Sequence, residues 1–219
     1  MSRVAVEDLA GTLDVAKIRP LDDHVLVRMI ERERTVGGVW LPKSKGTECA
    51  LAEVVRVGRG IQSPKRNLVF PLELEVGDIV LLMEYSGERL LLRGGEYRLM
   101  RSHGIWARVM PINRDTYELA DIFPRAHHLV VEVQDETTTM SGSLYLPNAE
   151  NAQSQNRLAT VVKVGPGVWD SETGKRVPIP LAAGDRVVMM RYAGANVFVN
   201  GKTLRILDEE DIRCATEGI

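Results

Sequence analysis

Val54-Val55-Arg56-Val57-Gly58 is a β-branched run stopped by a glycine, and 107 positions later it returns as Val161-Val162-Lys163-Val164-Gly165. A run of this kind reads as a strand. The copy continues outward in both directions. Toward the C-terminus the shift of 107 holds for Gly77-Asp78 and Gly184-Asp185, for Tyr85 and Tyr192, for Gly87 and Gly194, for Gly94 and Gly201, and ends at Ile105 and Ile212. Toward the N-terminus Leu41-Pro42 recurs as Leu146-Pro147. Ile18, Pro20, His24 and Val27 recur as Ile122, Pro124, His128 and Val131 at a shift of 104. The change of shift falls in loops, where homologous folds accept insertions.

The chain is therefore a tandem repeat: an N-terminal extension over 1–17, a first domain over 18–110, a linker over 111–120 and a second domain over 121–219. Val25, Val27 and Met29 alternate with Leu26, Arg28 and Ile30. Gly77-Asp78 and Gly94-Gly95 punctuate apolar runs in the manner of turns between antiparallel strands. No convincing amphipathic helix longer than ten residues is found. Short strands with Gly-rich turns over ~95 residues predict a small all-β barrel or sandwich in each half.

Composition narrows the function. At 219 residues, 44% hydrophobic, 26% charged and a formal charge of -2, the chain has no electrostatic demand for nucleic acid. Its longest apolar runs fall far short of the roughly 20 residues of a membrane-spanning helix. Residues 1–17 mix acidic and basic side chains and fit neither a secretory signal nor an acid-poor transit peptide, so a cytoplasmic protein, bacterial or of a phage-infected host, is expected ahead of a mature plastid protein. Cys49 and Cys214 lie far apart without metal-ligand spacing and are expected to be reduced.

Each half also carries a polar stretch interrupted by an apolar triplet at the same place. In the first, Gly37-Gly38 precedes Val39-Trp40-Leu41 and Pro42; in the second, Gly142-Ser143 precedes Leu144-Tyr145-Leu146 and Pro147. Polar flanks of this length cannot bury enough surface to order themselves. An exposed Trp, Tyr and Leu in such a segment call for a partner.

Ala183-Gly184-Asp185-Arg186-Val187, then Tyr192-Ala193-Gly194, Asn200-Gly201-Lys202 and Glu209-Glu210-Asp211-Ile212 have an order and spacing that resemble the co-chaperonin (GroES) family. The first half adds Ile18-Arg19-Pro20-Leu21-Asp22-Asp23-His24-Val25-Leu26-Val27 and Val76-Gly77-Asp78-Ile79-Val80, which resemble the family's opening strand and the strand after its roof. The resemblance covers nearly everything except 1–17 and the linker. It implies two tandem GroES-like small β-barrels and a non-enzymatic co-chaperonin that caps a GroEL-type chaperonin. The triplets Val39, Trp40, Leu41 and Leu144, Tyr145, Leu146 would dock in grooves of the apical domains, with Gly37, Gly38, Pro42, Gly142 and Pro147 as loop hinges and turns. Tyr85 and Tyr192 would either face the dome or, as tyrosines more usually do, pack on the barrel. Residues between Gly60 and Leu74, and between Gly167 and Ala182, would either form the dome's roof or be solvated loops.

The family also implies partners: unfolded clients inside the capped chamber and copies of the chain in a homo-oligomeric ring joined by terminal strands. It implies no cofactor, since ATP belongs to the chaperonin. A sevenfold chaperonin end cannot be matched by whole two-domain chains, and a trimer or tetramer is expected.

Other signals lead nowhere. Gly58-Arg59-Gly60 and Gly165-Pro166-Gly167 do not continue into a phosphate-binding Gly-Lys-Ser/Thr or a helix. An alcohol dehydrogenase, whose N-terminal barrel shares the fold class, would need a following Gly-x-Gly-x-x-Gly unit that is absent from the chain. His127-His128, read as neighbours on one strand, would point to opposite faces and could not share a metal ion without distortion, so a structural or solvated role is expected. The remaining rival is a tandem scaffold, or a protein that blocks a chaperonin.

Overall fold

A computed structural model describes residues 14–30, 35–36, 39–40, 48–63, 68–92, 95–110, 118–134, 139–141, 144–146, 156–199 and 202–216. In the first half the long strands are β1 (His24–Ile30), β4 (Cys49–Val57), β7 (Ile79–Met83), β8 (Glu88–Leu92), β9 (Gly95–Arg101) and β10 (Ile105–Val109). Two short hairpins stand apart from them: β2 (Thr35–Val36) with β3 (Val39–Trp40), and β5 (Ile61–Gln62) with β6 (Val69–Phe70). Gly77, with φ of 96°, makes the turn into β7, a conformation that costs glycine little.

The second half begins with β11 (Ile122–Pro124) and repeats the plan. Its long strands are β12 (His128–Val133), β15 (Asn156–Val164), β18 (Arg186–Met190), β19 (Ala195–Val199), β20 (Lys202–Asp208) and β21 (Ile212–Thr216), with hairpins β13 (Thr139–Ser141)–β14 (Leu144–Leu146) and β16 (Val168–Trp169)–β17 (Arg176–Val177). The ladders agree in detail. The β1–β4 pair has a bulge between Leu26 and Val27, and the β12–β15 pair has one between Val130 and Val131, which is the same place at a shift of 104. Among the described residues the only helices are single 3-10 turns.

Each half has its own core. Val25, Val27, Ala52, Val54, Val80, Leu82 and Met100 pack together in the first. Their counterparts Leu129, Val131, Ala159, Val161, Val187, Met189 and Leu207 do so in the second. The expected all-β tandem of GroES-like barrels is what the chain forms, although hydrogen bonding leaves each barrel's sheet open. The orders are β11-β10-β7-β4-β1-β9-β8 and β19-β20-β12-β15-β18-β21.

One strand crosses between the halves. β11 opens the second half in sequence yet pairs antiparallel with β10 of the first, Val109 opposite Ile122 and Ala107 opposite Pro124. A third core cluster fills the seam, with Leu51, Leu81, Ala107 and Val109 from one side and Ile122, Val130, Val197, Val199, Leu204 and Ile206 from the other. Strand β12 is thus buried on both faces, Val131 toward its own core and Val130 toward the first half. That is why its burial does not alternate.

Candidate functional site

The apolar triplets sit on the two hairpins that leave the main sheets. Val39 and Trp40 form β3, with Val36 opposite Val39 and Thr35 opposite Trp40. Leu144, Tyr145 and Leu146 form β14, opposite Ser141, Met140 and Thr139. A triplet expected in an unordered loop is thus given a short β-ladder of its own in both halves. Leu41, Gly37, Gly38, Pro42, Gly142 and Pro147 lie outside the described residues. Tyr85 and Tyr192 stand in the turns before β8 and β19 and are 71% and 88% exposed, so neither is a packing residue of its barrel.

The expected roof segments form the hairpins β5–β6 and β16–β17, and these meet. Phe70 stacks on Trp169 with ring centres 5.6 Å apart, and Arg176 lies 4.7 Å from the centre of the Trp169 ring while pairing with Glu73 at 2.6 Å. The Ser63 hydroxyl donates to the Ser171 carbonyl at 3.1 Å. Gly167, with φ of 88°, lets the chain pass against β17: an added Cβ would overlap the Val177 carbonyl oxygen.

Next to these hairpins the seam is tied by polar groups as well. The Arg125 guanidinium donates to the carbonyls of Ser102 and Ile105 at 3.0 and 3.1 Å and also to that of Leu72. Burial lowers its pKa to about 10, so it stays charged at neutral pH. Lys163 donates to the carbonyls of Ala120 and Ile122 and lies 4.9 Å from the centre of the Phe123 ring. Trp106 of β10 stacks on His128 at 5.3 Å.

The two ends of the chain present the unmatched halves of this same seam. Ile18-Arg19-Pro20, the counterpart of β11, has no strand partner among the described residues. Strand β21, the counterpart of β10, is the edge of its sheet. Where Leu51, Ala107 and Val109 are buried, the matching Leu158 is 41% exposed, Cys214 is exposed and Thr216 is half-buried. Leu21, which stands where the second half has Arg125, is 65% exposed.

The reading of His127-His128 as opposed side chains is overturned. Strand β12 begins only at His128, and His127 belongs to a turn in which Ala126 has φ of 48°. Strand alternation does not extend through a turn, and the two rings stack with centres 4.6 Å apart. Sequence reasoning also missed Arg125 as the tie between halves. The only signal available was its contrast with Leu21 in an otherwise repeated segment.

The sequence profile of the chaperonin 10 Kd subunit family matches this chain twice, over 17–109 and 121–216. The 20 kDa chloroplastic chaperonin of Spinacia oleracea is 29% identical over 204 residues, which is 92% of this chain and 76% of that protein. Its counterpart from Arabidopsis thaliana is 28% identical over 178 residues, 81% of this chain and 66% of that one. Co-chaperonin GroES of Methylacidiphilum infernorum is 36% identical over 97 residues, 44% of this chain but 95% of its own length. With both of its β-domains matched and the two joined strand to strand, the chain belongs to the chaperonin 10 Kd subunit family.

Proposed function

We propose that this chain is a co-chaperonin that caps a GroEL-type chaperonin by seating the β2–β3 and β13–β14 hairpins in its apical grooves, and that it does no chemistry of its own. The observation that carries the reading is the duplicated hairpin in a member of this family: an apolar triplet at one position of both domains, projected from the barrel rather than built into its sheet. Burying side chains such as Trp40 and Tyr145 is worth roughly 1.5 to 3 kcal/mol each, while ordering a loop costs about 1 to 2 kcal/mol per residue. One loop is therefore a weak anchor. Several loops held at a high effective concentration bind strongly and still release.

The seam inside the chain supplies a pattern for joining chains. Ile18-Arg19-Pro20 of one chain would add to β21 of the next, with Ile18 opposite Thr216, Arg19 opposite Ala215 and Pro20 opposite Cys214, as β11 adds to β10. A head-to-tail contact of this type closes into a ring when its rotation allows, and unfolded clients would be held beneath it. The compartment would be a bacterial cytosol or a chloroplast, given relatives named as bacterial GroES and as chloroplastic chaperonins.

Refolding of a stringent client by purified chaperonin and ATP tests the role. A co-chaperonin raises the yield when added; a yield suppressed below that of chaperonin with ATP alone would make the chain a blocker instead.

A further inference from the structure

We propose that His127, His128 and Asp208 form a site for one divalent transition ion of the zinc class, with a remaining position for water. The three residues offer ligand atoms that lie within 4.8 Å of one another. Two imidazoles and a carboxylate with an open fourth position make a donor set that suits zinc. Backbone pairing brings them together: His128 stands opposite Asp208 in the β12–β20 ladder, and the Glu209 amide donates to the His127 carbonyl at 3.0 Å.

The surrounding groups prepare the donors. The His128 Nδ1 lies 3.0 Å from the Arg125 carbonyl, which places its proton there and leaves the Nε2 lone pair free to bind. The Asp208 Oδ1 accepts from the Glu210 amide at 3.0 Å, which fixes the carboxylate, while its Oδ2 lies 2.7 Å from the His127 Nε2. His127 and Asp208 are 30% and 31% exposed, so an ion reaches them from outside. The nearby charge of Arg125 opposes a cation, but its guanidinium is committed to the carbonyls of Leu72, Ser102 and Ile105.

The first half provides an internal comparison. His24 repeats the His128 contact, with its Nδ1 3.0 Å from the Leu21 carbonyl. Asp23 stands where His127 is, and Arg101, opposite His24, stands where Asp208 is. With an arginine in place of the carboxylate, that half holds a surface ion pair of Arg101 and Asp23 at 3.9 Å and, among its described residues, no comparable donor set.

The test is titration of the full chain, free of any affinity tag, with Zn2+ in competition with a chromogenic chelator, and with Co2+ followed by its visible absorption. One equivalent is expected to bind. His127→Ala and Asp208→Asn are each expected to weaken binding roughly tenfold or more and to abolish the Co2+ band, while His103→Ala leaves both unchanged. Circular dichroism of the two partly exposed variants confirms that they fold. No saturable binding by the wild type, or binding untouched in both variants, would overturn the proposal.

Discussion

His128 reports on its surroundings through a proton. Burial first, and the adjacent His127 second, lowers its pKa from 6.5 to about 4. Unfolding restores the ordinary value, so below pH ~6.5 the unfolded chain takes up a proton that the folded chain refuses. Stability is therefore full above that pH and falls as the pH drops toward 4, by up to about 1.4 kcal/mol per unit. Urea titrations of the metal-free protein at pH 7 and 4.5 are expected to show this loss, and His128→Gln is expected to reduce it. An equal loss in the variant would place the effect elsewhere. The two cysteines make a second prediction. Burial and the neighbouring Glu48 carboxylate push the Cys49 thiol well up, so it resists alkylation. Cys214, exposed on β21, is expected to react quickly in the separated chain and slowly once chains assemble. Thiol labelling followed by mass spectrometry across a dilution series reads both. These contrasts were not legible in the sequence, because the environment of each residue comes from strands far away in the chain. Strand alternation holds only from His128 onward, so the relative placing of His127 and His128 is set by a turn that the repeat does not reveal.

At the scale of elements, the decisive feature is that β11 serves the sheet of the preceding domain. Ile122 is fully buried in the seam. Ile122→Ala is expected to cost roughly 2 to 5 kcal/mol of stability in the chain itself. Ile18→Ala removes the corresponding residue at the free end, and its effect is expected on assembly rather than on folding. Urea unfolding of dilute protein and sedimentation velocity separate the two effects, and an Ile18→Ala protein that assembles as well as wild type would refute the strand-addition joint. The strands themselves were readable, since β-branched runs and glycine turns recur at constant shifts. The exchange of β11 was not, because short-range pattern does not say which sheet a three-residue strand will join. The hairpins of the apolar triplets were likewise read only as loops: two- and three-residue ladders leave no periodicity to detect.

For the whole molecule, a tandem chain has one seam built in and its two halves left open at opposite ends. Lengthwise, the sequence repeat gave the two-domain plan; three-dimensional pairing was needed to see that the domains interlock. Leu21, 65% exposed, stands where Arg125 ties the internal seam, and in the proposed joint it would put an apolar side chain in place of that arginine. Leu21→Asp is expected to lower the assembled fraction in native mass spectrometry without changing the monomer's stability by more than about 0.5 kcal/mol. A stable wild-type monomer at working concentration would contradict the ring. The most direct measurement is binding to a purified GroEL-type chaperonin with and without ATP, comparing wild type with Trp40→Ala, Tyr145→Ala and the double variant. Binding is expected only with ATP, weakened roughly tenfold or more by each single change and lost in the double variant. Binding by the double variant at wild-type strength, or none by the wild type, would contradict capping through these two hairpins.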